Sequence, residues 1–314
     1  MMWMLAVVAA LAGCGGDGPG DPDRSGARPV TVALDFQPNA VHAGIYTAAS
    51  KQLDRDRGVE MTVRAPSAST DSLKLLAAGR ADLAVVDIHD LGLARERGAD
   101  VVGVGAIVQR PLAAVVTTPE VRRPRDLEGR QVGVTGLPSD DAVLTAVVEA
   151  DGGDPDLVRR ITIGFSAVPS LVAGRVDAVV TFWNAEGVAL RERGVPTREF
   201  RVDEFGAPRY PELVLATTSE TLRTRPGLVR DTLAVLAEGT RRALADLPAA
   251  ADRIAQASDG DPALVAAQMK AVAPALEPPL VLNRGVLERW ARFDARFGIL
   301  ESPPDVNEAF SFNP

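Results

Sequence analysis

The 314-residue chain has one cysteine, two histidines and only three lysines, Lys51, Lys74 and Lys270. A single cysteine, Cys14, excludes an internal disulfide framework, a thiolate zinc site and an iron cluster built from this chain alone. Two histidines fall short of a metal constellation. There is no nucleophile elbow, phosphate-binding P-loop, dinucleotide glycine fingerprint or HExxH, so neither a cofactor nor a metal is expected. The net charge of −8 is spread along the chain without a long basic run, which argues against nucleic acid as a partner. With 46% hydrophobic and 24% charged residues, the composition is that of a globular protein large enough for two modest lobes.

The position of Cys14 is more informative than its solitude. A short apolar run over residues 3–12 ends in Leu11-Ala12-Gly13-Cys14, the pattern of a lipobox cleaved just before a lipid-modified cysteine. That run is too short for a permanent membrane span and suits a signal peptide over residues 1–14. The Gly-, Pro- and Asp-rich stretch that follows cannot bury apolar area, so residues 15–28 are expected to form a flexible tether. The predicted location is extracytoplasmic, with the chain anchored to the membrane through lipid on Cys14.

Comparing the chain with itself at a separation of about 95 to 100 residues reveals a duplication. Ala78-Gly79-Arg80-Ala81-Asp82 returns as Ala173-Gly174-Arg175-Val176-Asp177, each copy joining an apolar helical stretch to a buried strand through a glycine suited to a left-handed cap. Arg95-Glu96-Arg97-Gly98 likewise returns as Arg191-Glu192-Arg193-Gly194. At the start of each copy a strand leads through a proline to an expected N-cap, Asn39 or Ser139. Strands alternating with helices predict an α/β chain with two parallel-rich sheets flanked by helices and a cleft between the lobes. The apolar runs 112–118 and 213–218 read as the connections into and out of the second lobe. Lobe one is therefore expected to comprise residues 29–117 and 214–314, and lobe two residues 118–213. Three helices near 226–247, 262–272 and 284–297 are expected to return to lobe one.

In open α/β sheets, ligands bind beyond the carboxyl ends of the strands. That rule selects the loops 35–39, 87–90, 135–139 and 182–186, with 67–70 as a fifth. Candidate ligand-binding residues are Asp35, Phe36, Asn39, His42, Ser69, Asp87, His89, Gln109, Thr135, Trp183, Asn184 and Glu186. A flat heteroaromatic ligand needs a ring to stack on and a carboxylate to accept its N–H groups, which Trp183 and Glu186 could supply. The lesser alternative is that Trp183 packs in the core and Glu186 merely favours a helix start. His42 could contact ligand or be satisfied by a neighbour. Asp87 and His89 alternate along a strand end and are expected to share a face. As a loose set, Asp35, Asp87 and Glu186 read as binding groups rather than catalytic acids and bases.

The stretch Leu34-Asp35-Phe36-Gln37-Pro38-Asn39-Ala40-Val41-His42-Ala43-Gly44 resembles the opening motif of the NMT1/THI5-like periplasmic binding proteins, with Phe36 in place of the more usual Trp. The similarity extends over roughly residues 30–245, through Asp126-Leu127-Glu128-Gly129 and Thr218-Ser219-Glu220. It implies the two-lobed periplasmic-binding-protein fold of type II. It also implies capture of a small molecule for an ABC permease, in one branch a thiamine-precursor pyrimidine such as formylaminopyrimidine or hydroxymethylpyrimidine. Related proteins bind riboflavin, sulphonates or nitrate. The resemblance places Asp35, Phe36, Asn39 and His42 on one wall of the cleft and residues 183–186 on the other. An enzymatic branch, the eukaryotic pyrimidine synthases, consumes its own pyridoxal-bearing lysine and a histidine and uses a cysteine cluster for iron. Residues 67–70 contain neither Lys nor His, so a binding protein rather than an enzyme is expected.

Overall fold

The computed structural model describes residues 26–66 and 71–314. The expected signal peptide, most of the tether, Cys14 and Ser69 lie outside the described residues. In chain order the strands are β1 (Arg28–Ala33), β2 (Val59–Arg64), β3 (Leu83–Asp87), β4 (Val102–Ala106), β5 (Ala113–Thr117), β6 (Gln131–Val134), β7 (Arg159–Thr162), β8 (Ala178–Phe182), β9 (Arg198–Arg201) and β10 (Leu213–Thr217). They form two five-stranded sheets, ordered β2-β1-β3-β10-β4 and β7-β6-β8-β5-β9. In each sheet four strands run parallel and one is reversed: β10 pairs antiparallel with β3 and β4, and β5 with β8 and β9. Each reversed strand is the one the chain enters on crossing from the other lobe.

This pairing moves one expected boundary. Residues 113–117 were assigned to lobe one, but the backbone groups of β5 are satisfied by β8 and β9, so the chain has changed lobes by Ala113. The crossovers are residues 107–112 and 202–212.

The duplicated sequence does the same work twice. Gly79 and Gly174 adopt φ of +64° and +65°, the left-handed region that costs a residue without a Cβ little. Asp82 Oδ2 then accepts the Thr31 N–H at 2.8 Å and Asp177 Oδ2 the Gln131 N–H at 2.9 Å, locking the start of β3 onto β1 and of β8 onto β6. The strands beyond are valine- and alanine-rich because both of their faces are covered. Val32, Leu83, Val85 and Leu215 are buried in the first sheet and Val132, Val179 and Val115 in the second. Each such side chain contributes about 1.5–3 kcal/mol where its apolar area leaves water.

The helix Ala43–Ser50 packs on the helix Pro226–Ala245 at a glycine contact. A Cβ on Gly239 would lie 2.2 Å from Gly44 O, so the backbones approach as only glycine permits. Besides the three expected helices the C-terminal region has two short ones, Ser219–Thr224 and Val306–Ala309, and a longer one, Leu247–Ser258, which Asp246 separates from Pro226–Ala245 and caps by accepting the Ala249 N–H at 3.2 Å. Nor does the region return to lobe one alone. The helix Pro262–Val272 also packs against the lobe-two helix Glu186–Glu192, and Gln268 Nε2 donates to Ala185 O at 3.4 Å. Among the described residues no helix is long and apolar enough to cross a membrane.

Candidate functional site

The carboxyl ends of the strands from both lobes enclose a cleft of about 400 Å³. Its first wall starts at Asn39, whose Oδ1 accepts the Val41 N–H at 3.1 Å and so begins the turn Ala40–His42 that leads into the helix Ala43–Ser50. His42 is buried and does not line the cleft. Its Nδ1 accepts the Asn39 N–H at 3.2 Å, leaving Nε2–H to donate to Asp35 Oδ1 at 2.7 Å. From behind the wall His42 fixes the carboxylate of Asp35, which does line the cleft beside Phe36 and Asn39.

The floor lies at the end of β3. The strand stops at Asp87 and a helix, Ile88–Glu96, begins at once, so Asp87 and His89 do not alternate along a strand as expected. Asp87 Oδ1 caps the helix by accepting the His89 N–H at 2.8 Å. His89 turns into the interior, where Nδ1–H donates to Asp294 at 2.8 Å and Nε2 lies 3.2 Å from the Tyr210 hydroxyl. Burial alone would depress the His89 pKa, but Asp294, with Asp87 and Glu212 behind it, outweighs burial and raises it to about 10. Burial is also the main reason that Asp87, Asp90 and Glu212 titrate above the usual carboxylate range. The floor is therefore an imidazolium set among four acids.

Lobe two supplies the opposite wall. The helix Pro138–Ala150 begins at the proline, whose missing N–H is harmless at a first helical position, so Ser139 lies inside the helix instead of capping it. Thr135 lines the cleft and donates through both its N–H and Oγ1 to Asp140, 2.5 Å away. Beyond β8, Glu186 opens the helix Glu186–Glu192, and its Oε2 accepts from Thr181 Oγ1 at 2.8 Å and from the Phe182 N–H at 3.3 Å. Asn184 lines the cleft although only 3% exposed, and its Oδ1 has no hydrogen-bond partner.

Besides His42, two more expected site residues do not face the cleft. Trp183 is 2% exposed, its indole N–H donates to Pro111 O at 2.9 Å, and the Arg201 guanidinium lies 4.1 Å over its ring. Trp183 anchors the first crossover to lobe two and offers no stacking face. Gln109 spends its amide on the carbonyls of Ala106, Pro278 and Val281, tying the same crossover to the C-terminal region. The aromatic faces at the cleft belong to other residues. Phe36 (47% exposed) on lobe one and Phe165 (75%) on lobe two have ring centroids 6.3 Å apart, and Phe182 stands nearby at 36%.

Phe165 had a signal in the sequence, since it follows β7 as the loop 67–70 follows β2. Phe182 also had one, because it continues the alternation of Val180 along β8. Glu212 and Gln268 reach the cleft from the second crossover and a distant helix, and no local pattern marks them.

Two mixed sheets joined by two crossovers, with a cleft between their strand ends, define the two-lobed periplasmic-binding-protein architecture. Among solved structures it is similar to the periplasmic aliphatic sulphonate binding protein SsuA from Escherichia coli, with a TM-score of 0.75 and 16% identity over 90% of this chain and 97% of that one. The chain belongs to the NMT1/THI5 like family, whose model matches residues 39–251. It is 35% identical over 215 residues to the formylaminopyrimidine-binding protein of Halalkalibacterium halodurans, covering 68% of this chain and 64% of that protein, a little under two thirds of its length. It is also 23% identical over 231 residues to 4-amino-5-hydroxymethyl-2-methylpyrimidine phosphate synthase THI5 of Saccharomyces cerevisiae, covering 69% and 67% of the two chains.

Proposed function

We propose that this protein is the extracytoplasmic ligand-capturing component of an ABC importer, lipid-anchored through Cys14, and that it binds a small amino-bearing pyrimidine such as formylaminopyrimidine. The observation that carries this reading is the lining of the cleft. Its walls present Phe36, Phe165 and Phe182 as flat apolar faces and Asp35, Asp87, Asp90, Asp140, Glu186 and Glu212 as acceptors, with no Arg or Lys among the described lining residues and with His89, the one cation there, already held by Asp294. An anionic ligand would meet repulsion there, whereas a neutral or cationic ring with N–H donors would meet partners. The ring centroids of Phe36 and Phe165 are 6.3 Å apart with their planes inclined by 36°, a wedge slightly narrower than the ~7 Å that two carbon contacts of ~3.5 Å require on either side of a flat ring. A slight separation of the lobes admits such a ring. Closure about residues 107–112 and 202–212 then presents the closed form to a permease.

Binding rather than catalysis also accords with the histidines. His42 is engaged by Asp35 and Asn39, and His89 by Asp294 and Tyr210. Mass spectrometry of ligand released from natively purified protein, followed by calorimetry with the compound found, tests the assignment. Glu186→Gln should weaken binding by about 1–3 kcal/mol. A tightly held sulphonate would overturn the ligand class. Palmitate labelling that does not differ between wild type and Cys14→Ser would overturn the anchor.

A further inference from the structure

Two acceptors of the cleft lining, Asn184 Oδ1 and the carboxylate of Glu212, belong to segments tied to one residue of the first crossover. Leu112 donates its N–H to Glu212 Oε2 at 2.8 Å and accepts the Trp183 N–H on its carbonyl at 3.0 Å, so Glu212 and Trp183, the residue before Asn184, are both bonded to Leu112 where the chain passes between the lobes. Glu212 is also built into the crossovers by its backbone. Its N–H donates to Val108 O at 3.1 Å and its carbonyl accepts the Ile88 N–H at 3.0 Å, one residue from Asp87. Asn184, Glu212, Asp87 and Leu112 all line the cleft. The buried amide oxygen of Asn184 is unpartnered, an arrangement that costs desolvation unless something donates to it.

Resting on the binding function proposed above, we infer that Asn184, Glu212 and Asp87 form a second acceptor subsite at the lobe junction. It takes an amino, hydroxyl or ammonium donor of the ligand other than the one held by Glu186. The acceptors are two carboxyl groups and an amide oxygen; no arginine or lysine is among the described residues that line the cleft, and His89, which also lines it, is already engaged by Asp294 and Tyr210. A carbonyl or anionic group in that position would leave the Asn184 oxygen unpaired and face Glu212 and Asp87, so the subsite discriminates donors from acceptors of similar size. Because Glu212 also bonds the first crossover through Leu112, a donor bound there contacts the hinge itself. Glu212 is thus a specificity residue placed where the lobes turn against each other.

The experiment uses 4-amino-5-hydroxymethyl-2-methylpyrimidine as probe, with two analogues. One replaces the amino group by an oxo group, and the other replaces the hydroxymethyl group by methyl. Calorimetry on wild type, Glu186→Gln, Glu212→Gln and Asn184→Leu gives each protein's preference for the probe over each analogue. In wild type each lost donor should weaken binding about tenfold or more. Glu212→Gln and Asn184→Leu should abolish the preference against one analogue, and Glu186→Gln the preference against the other. Glu212→Gln keeps an oxygen for the Leu112 N–H, and thermal melts identify any variant that fails to fold. Should Asn184→Leu misfold, Glu212→Gln alone carries the test. If both preferences vanish together in Glu186→Gln and stand intact in Glu212→Gln, the subsite is overturned and the binding function stands. If wild type binds none of the three compounds, the pyrimidine reading fails and the subsite with it.

Discussion

The turns after β3 and after β8 occupy equivalent places in the two lobes, yet they are stabilised by opposite means. After β3, Asp87 caps a helix and His89 enters the interior as a cation held by Asp294, a contact between residues 205 apart in sequence. After β8 the interior receives Trp183 instead, sealed by Pro111 and covered by Arg201. One lobe buries a charge network beneath the cleft and the other buries an aromatic anchor beside the hinge. Equivalent backbone positions thus do not imply equivalent chemistry. A strand end fixes where a side chain starts, and the elements packed behind it decide what can be buried there.

The largest expected effect breaks the charged side of this comparison. Asp294→Ala leaves the His89 imidazolium buried without its partner and should cost about 3–5 kcal/mol in urea unfolding. Trp183→Ala breaks the aromatic side at a cost of about 3–5 kcal/mol as well, through a cavity rather than an unpaired charge. The two losses should therefore respond differently to pH. His89 is protonated more readily folded than unfolded, so its contribution is complete below about pH 6.5 and is lost as pH rises toward its folded value of about 10. The raised acids Asp87 and Glu212 act in the same direction, favouring the fold at low pH and opposing it as pH climbs through their elevated range. The melting temperature of wild type should fall from pH 6.5 to 10, and His89→Gln should flatten that fall. A curve of unchanged slope in His89→Gln would show that the network does not carry the charge assigned to it.

The repeated aspartates sharpen the comparison from the side of similarity. Asp82 holds the Thr31 N–H and pairs with Arg225, while Asp177 holds the Gln131 N–H and pairs with Arg130. Asp82→Ala and Asp177→Ala should each cost about 1.5–3 kcal/mol, because both remove a charged acceptor at a strand start. The smallest effect on stability is expected at Phe165, where Ala should change unfolding free energy by less than about 0.5 kcal/mol. Ligand affinity should nonetheless fall by about 0.5–1.5 kcal/mol, the worth of one aromatic contact. Full affinity in Phe165→Ala would remove it from the binding wall.

Much of this protein is legible without coordinates. The repeated glycines followed by arginine and aspartate mark two helix-to-strand units because a left-handed turn and a strand-start acceptor require those residue types locally. Asn39 is readable as a cap for the same reason. The alternation along β8 shows that Phe182 and Trp183 point to opposite faces, but not which face is the cleft, since that depends on where the first crossover lies. Trp183 therefore stood as a stacking candidate when Phe165 and Phe182 hold the exposed faces. Residues 113–117 looked like a bridge between lobes, yet a reversed strand and a connector share the same apolar pattern, and only the pairing of β5 with β8 and β9 distinguishes them. The sequence by itself determined the two α/β lobes, the strand-end loops and the acidic tone of the cleft, because periodicity, caps and turn residues act over a few neighbours. Tertiary structure alone decided that His89 answers to Asp294 and that Glu212 and Trp183 are both bonded to Leu112. Those relations join segments distant in the chain, and burial and charge compensation act only once the segments are in contact.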